Sequence, residues 1–188
     1  SGKQRVRRSW SPFAPQQNKH TLRKGERMTI LKGISEGMST TNDAWFTLRD
    51  SSVAPVLSEV FSPPRVAREA IHHGFRAGNS YDLLTGFNML CSKTRGHVRS
   101  ELETESPNVL ILCPPCDPFS TMQYINHARW SGEPAYDEKR KDSIRCGKVL
   151  LNFAVLLAKD QIRRGGIVLF EHPEGGASWQ EKSLFGLA

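Results

Sequence analysis

No part of this sequence stays apolar for long. The roughly 20 residues that a membrane-spanning helix requires are nowhere approached, and hydrophobic residues make up 38% of the chain, an ordinary share for a globular domain. Cysteine is scarce. Cys91, Cys113, Cys116 and Cys146 are too few and too scattered for the framework of a small secreted domain, so a reducing, intracellular setting is expected. The basic N-terminal stretch has no apolar segment behind it and does not read as a secretory signal. No internal repeat is found. With 188 residues there is room for one domain with a sizeable core but not for two large ones. Acid is almost missing from one end. Residues 1–27 carry Lys3, Arg5, Arg7, Arg8, Lys19, Arg23, Lys24 and Arg27 against Glu26 alone, which equals the whole net charge of +7. The rest of the chain is balanced. Such an arm suits phosphate backbones through counterion release, or is simply a solvated tail.

Two parts follow from this pattern: a basic, largely irregular arm over residues 1–52 and an α/β domain over 53–188. In the arm, Met28 to Ile34 reads as a short strand or helix, the sequence leaving both open. Val53 to Phe61 predicts a strand. Ser62-Pro63-Pro64 then starts a helix from Arg65 to His73, capped by Ser62, with Val66, Ala67, Ala70 and Ile71 on one face and Gly74 as the stop. Asn79 to Leu84 is a second strand and residues 88–106 a polar helix with loop. Val109 to Cys113 is a strand apolar throughout, as one buried on both faces should be. The strongest helix runs from about Lys139 to Arg164, with Ile144, Val149, Leu150, Phe153, Leu156 and Leu157 along one side and Gly165-Gly166 after it. Ile167 to Phe170 is the last strand. Strands alternating with helices predict a three-layer, mostly parallel sheet, whose ligands belong at the carboxyl ends of the strands.

One segment carries chemistry. Cys113-Pro114-Pro115-Cys116-Asp117-Pro118-Phe119-Ser120 follows the buried strand directly. It resembles the Pro-Pro-Cys-x-x-Phe-Ser signature of cytosine-5 DNA methyltransferases, which are class I, Rossmann-like methyltransferases dependent on S-adenosylmethionine. Carbon-5 of cytosine is a poor nucleophile. A thiolate adding to carbon-6 makes it a competent one. The resemblance therefore implies that Cys116 is the nucleophile, in a loop stiffened by Pro114 and Pro115. The family places a glutamate at the end of a later strand, usually as Glu-Asn-Val. Here Glu171-His172-Pro173 stands there, which implies that Glu171 holds the base's ring nitrogen and assists its protonation.

The cofactor half matches less closely. Glu59-Val60-Phe61-Ser62 fits the family's first strand, but Pro63-Pro64-Arg65 replaces its glycines. The resemblance implies cofactor contacts from Glu59, Phe61, Ser62, Asp82 and Pro114, with Asp82 binding the ribose hydroxyls. In a second alignment Asp82-Leu83-Leu84-Thr85-Gly86-Phe87 is the first motif, and Asp82 stays near the cofactor in both. The likeness covers roughly residues 55–180. A further likeness, to methyltransferase-like segments of retroelement polyproteins, rests on Phe61-Ser62-Pro63-Pro64-Arg65-Val66 and on Glu171 to Trp179. The family's Gln-x-Arg-x-Arg motif, target-recognition region and closing strands have no counterpart. The domain is thus expected to be C-terminally incomplete, a fragment or a core completed by another chain.

Other readings stay beside this one. Cys113-x-x-Cys116 is also a redox pair or half a zinc site, yet no second ligand pair accompanies it and no metal is expected. Cys146 reads as a small buried hydrophobe, Cys91 as without a role, and Trp179 as a packed side chain. The leading expectation is methyl transfer to cytosine carbon-5 in nucleic acid, DNA ahead of RNA, with a nuclear location and no membrane. Ser120 and Arg65 would lie near the loop, and Arg5, Arg7, Arg8, Lys19, Arg23, Lys24 and Ser120 would contact nucleic acid. The alternative is a non-catalytic nucleic-acid-binding or assembly module on a degenerate methyltransferase scaffold.

Overall fold

The run Val109–Leu112 forms a strand buried at every residue, and the other elements are arranged around it. The structure is a computed structural model that describes residues 26–32 and 54–185. In chain order the elements are β1 (Glu26–Lys32), β2 (Val56–Val60), α1 (Val66–Ala70), β3 (Arg76–Tyr81), α2 (Ser92–Glu105), β4 (Val109–Leu112), α3 (Met122–Trp130), α4 (Pro134–Arg163), β5 (Ile167–Pro173) and α5 (Lys182–Phe185). The sheet order is β1-β5-β4-β2-β3. Strands β5, β4, β2 and β3 are parallel. Strand β1 adds to the outer edge of β5 antiparallel, with Glu26 opposite Pro173. The fold is α/β with a mostly parallel sheet, as the alternation of strands and helices predicts. Strand β1 comes from the segment read as an arm and settles Met28 to Lys32 as strand. Arg5, Arg7, Arg8, Lys19, Arg23 and Lys24 lie outside the described residues.

Alternation along the strands builds two apolar layers. Val60, Leu110, Leu112, Val168 and Phe170 face α2 and α4. Leu57, Val109, Ile111 and Ile167 face the short α1. Three details differ from the sequence reading. In α1 only Ala67 and Ala70 are buried, while Val66, and Ile71 in the 3-10 turn that follows, are exposed, because a five-residue helix reaches the sheet along one narrow line. Along α4, Val149 and Leu156 are exposed and the buried stripe includes Leu151, Ala154 and Ala158. The two alanines let the helix approach the sheet closely. Strand β3 covers Arg76–Tyr81 rather than 79–84, since Asp82 already caps a following 3-10 turn through Leu84 N–H at 2.8 Å. Its sequence is polar because it is an edge strand, open to solvent for most of its length.

The topology decides where a ligand can sit. From β2 the chain crosses to β3 on one side and then returns to β4 on the other. The loops after β2 and β4 therefore diverge, and a crevice opens between them at the carboxyl ends of the strands. Among the described residues, no helix is long and apolar enough to cross a membrane.

Candidate functional site

The loop after β4 carries the cysteine motif. Cys113 N–H extends the sheet ladder to the Val60 carbonyl at 3.1 Å. Pro114 is buried, Pro115 is exposed, and the half-buried Cys116 caps a 3-10 turn, with Phe119 N–H donating to its carbonyl at 2.9 Å. Neither Cys113 nor Cys116 is in a disulfide. The turn is anchored by buried Phe119, which packs on α4 where that helix carries Gly147. A Cβ on Gly147 would lie 2.7 Å from Pro118 Cγ, so glycine is what lets the loop and helix touch. Ser120 accepts from Met122 N–H at 3.2 Å, which supports the start of α3.

Glu171 lies one residue beyond Phe170, the partner of Leu112 at the end of β4. It is half-buried. Cys116 and Glu171 thus sit past the same end of two adjacent parallel strands. Alternation sends Glu171 to the α1 side and its neighbours Phe170 and His172 to the α4 side.

His172 is the residue that the sequence reading missed. It is fully buried, walled by the rings of Phe119, Phe170 and Trp179. Its Nδ1 lies 2.8 Å from Ser178 Oγ. Its Nε2 is enclosed without a hydrogen bond of good geometry, although the Pro114 carbonyl acts on the ring and favours a proton there. That contact is therefore weak. The consistent assignment has Ser178 donating to Nδ1 and the proton on Nε2. Burial dominates and lowers the ring's pKa to about 4, against the smaller opposing effect of Pro114. Trp179 Nε1 donates to the Pro173 carbonyl at 2.8 Å. The stretch from Glu171 to Trp179 is thus a closed local unit that fastens the end of β5 against the cysteine loop. The signal was the spacing of His172, Pro173, Ser178 and Trp179, all of which the unit uses.

The cofactor-side residues divide. Glu59 is fully buried. One carboxylate oxygen accepts from Ala67 N–H at 2.7 Å and the other from Ser62 Oγ at 2.8 Å. Glu59, not Ser62, therefore caps α1, and its negative charge suits the helix N-terminus. Direct contact between Glu59 and a ligand would require this loop to open. Phe61 takes the left-handed conformation with φ 62°, a turn that glycine makes without steric cost. Its ring meets Phe153 edge-on at 6.3 Å.

A cavity of about 730 Å³ lies at the strand ends. This falls within the range of about 300–1,000 Å³ for small-molecule sites. Phe61, Asp82 and Phe87 line one bank, Pro115 and Asp117 of the cysteine loop a second, and α3 with α4 a third. Asp82 caps the 3-10 turn with its carboxylate, accepting from Leu84 N–H at 2.8 Å, and lines the cavity from there. Cys146 lines the cavity too and is half-buried rather than buried. Of the sequence candidates, Phe61 and Asp82 reach the cavity wall. Glu59, Ser62, Pro114, Cys116, Ser120 and Glu171 do not, although Cys116 lies between two residues that do. Among the described residues, no three His, Cys, Asp or Glu side chains group as a metal site. Compared with protein-family models, curated proteins and solved structures, the chain matches none.

Proposed function

We propose that this chain is the core of a cytosine-5 methyltransferase acting on nucleic acid. One observation carries the reading. Cys116 and Glu171 lie past the same end of neighbouring parallel strands, and a switch-point cavity walled by Asp82, Pro115 and Asp117 opens at that end of the sheet. The residues fit S-adenosylmethionine in kind: a carboxylate oxygen for the ribose at Asp82, and aromatic rings at Phe61 and Phe87. When bound, that cofactor supplies the methyl group from its sulfonium.

The protein's own residues do the rest. Cys116, as thiolate, adds to carbon-6 of the base. Glu171 holds the ring nitrogen and lends it a proton, so that carbon-6 is electrophilic enough to accept the sulfur. The displaced electron pair moves to carbon-5, which takes the methyl group. Loss of the carbon-5 proton to solvent, departure of the thiolate and return of the ring-nitrogen proton to Glu171 restore the ring. The target base must leave its stack for both side chains to touch it. A cytosine bearing fluorine at carbon-5 blocks the last elimination. A covalent complex with such a DNA or RNA, absent in Cys116→Ser, is the expected result. Its absence on both nucleic acids, with cofactor present, would refute the nucleophile.

Three features support a second reading, a non-catalytic nucleic-acid-binding or assembly module. Prolines stand in place of the cofactor-loop glycines, Glu59 is enclosed by its own loop, and Phe61 carries the turn. Calorimetric titration with S-adenosylmethionine separates the two. No heat and no thermal shift at millimolar ligand would favour the module.

A further inference from the structure

Helix α4 is longer than the sheet it packs against. Its 30 residues span about 45 Å, whereas β4 has four residues and β2 five, roughly 13–17 Å. Its buried residues begin only at Gly147. Residues 134–146 therefore overhang the carboxyl ends of the strands, and with α3, which has no buried residue, they wall the cavity.

The face that α4 turns to the cavity is graded. Tyr136, Lys139, Arg140 and Ser143 line the overhang, at spacings that share one helix face. Nearer the sheet the same face continues as Ile144, Gly147 and Leu150. The cavity is therefore apolar where it meets the core and cationic where it leaves it. Opposite stands Asp82, and Asp117 enters from the cysteine loop. Three cations of this helix have carboxylate partners: Arg145 with Asp142 at 3.0 Å, Lys148 with Glu181 at 2.9 Å and Arg163 with Asp160 at 2.8 Å. Arg140 is half-buried and has no ion pair among the described residues. A half-buried guanidinium that pairs with neither carboxylate of its cleft is matched by a planar anion arriving with the ligand.

We propose that the α4 overhang is the subsite for the amino-acid tail of the adenosyl ligand, with Arg140 binding its carboxylate and Asp117 its ammonium. This rests on the methyltransferase reading and adds to it, since the overhang belongs to neither the cysteine motif nor the glycine-loop position. The adenosine end lies toward Phe61, Phe87 and Asp82. The opposite charges of Arg140 and Asp117 select a zwitterionic tail over a phosphate chain, which Asp82 and Asp117 would repel.

The test compares two ligands on the full chain by calorimetry. S-adenosylhomocysteine has the tail, and 5′-methylthioadenosine has the nucleoside and sulfur without it. Arg140→Gln should weaken the first roughly tenfold, the usual scale of one charge-assisted hydrogen bond, and leave the second unchanged. Added salt should narrow the gap between the ligands in the parent chain and not in the variant. Equal weakening of both ligands would show that Arg140 only shapes the cavity. No weakening of either would place the tail elsewhere. Failure of both ligands to bind the unmodified chain would remove the methyltransferase reading itself, and is seen before any variant is made. A thermal unfolding curve matching that of the parent chain establishes that the variant is folded before it is titrated.

Discussion

Lowering the pH should destabilise this domain through one side chain, His172. In the unfolded chain its ring titrates near 6.5. In the native state burial holds the pKa at about 4. Between these limits the native state binds fewer protons than the unfolded chain, so stability falls as pH falls. From 6.5 down to about 4, at about 1.4 kcal/mol per pH unit, the loss approaches 3 kcal/mol. That is a large part of the 5–15 kcal/mol typical of a domain. The substitution His172→Asn cannot titrate. At pH 7 it should be weaker than the parent by about 2 kcal/mol, because it empties part of a site walled by Phe119, Phe170 and Trp179. Near pH 4.5 the two proteins should be nearly equal. Urea unfolding at half-unit steps from pH 4.5 to 7.5 measures this, read by circular dichroism and by tryptophan fluorescence, to which Trp179 contributes with its ring 6.2 Å from the histidine. Carboxylates titrate in both proteins and cancel in the difference. Parallel profiles for parent and variant would show that the ring is not sealed, and the fastening of the cysteine loop to β5 would lose its basis.

Three further outcomes are expected. Gly147→Ala should destabilise by about 1–3 kcal/mol in urea, since the clash with Pro118 and Phe119 outweighs the roughly 1 kcal/mol gain in helix propensity; a more stable variant would mean that the loop yields freely. Asp82→Ala should weaken S-adenosylmethionine binding by about 1–3 kcal/mol in calorimetry, and unchanged affinity would take Asp82 out of the cofactor site. Deleting residues 1–25, which hold the whole net charge and stop short of β1, should flatten the salt dependence of nucleic-acid binding in filter or fluorescence titrations, and an unaltered slope would free the arm from that role.

The sequence by itself determined the strands that are apolar, the helix rich in leucine, and the order in which the cysteine and glutamate motifs follow them. Val109–Leu112 and Ile167–Phe170 were legible because a strand buried on both faces must be apolar at every position. Edge strand β3 was shifted in the reading because a solvent-facing strand carries no such pattern, and α3 was missed because its apolar residues face no core. Tertiary structure alone decided what each polar side chain does. Glu59 reads as a cofactor acid in the motif and is a helix cap in space, because Ala67 N–H comes within 2.7 Å only after α1 folds back over β2. His172 reads as a departure from Glu-Asn-Val, and becomes a sealed connection between β5 and the cysteine loop. Lys139 reads only as the start of the strongest helix, yet the overhang of α4 turns it and Arg140 toward the cavity. Periodicity reports burial, which is a property of one segment against its surroundings on average. The partner of a carboxylate, an imidazole or a guanidinium is set by distances between segments far apart in the chain, and those exist only once the sheet order and crossovers are fixed.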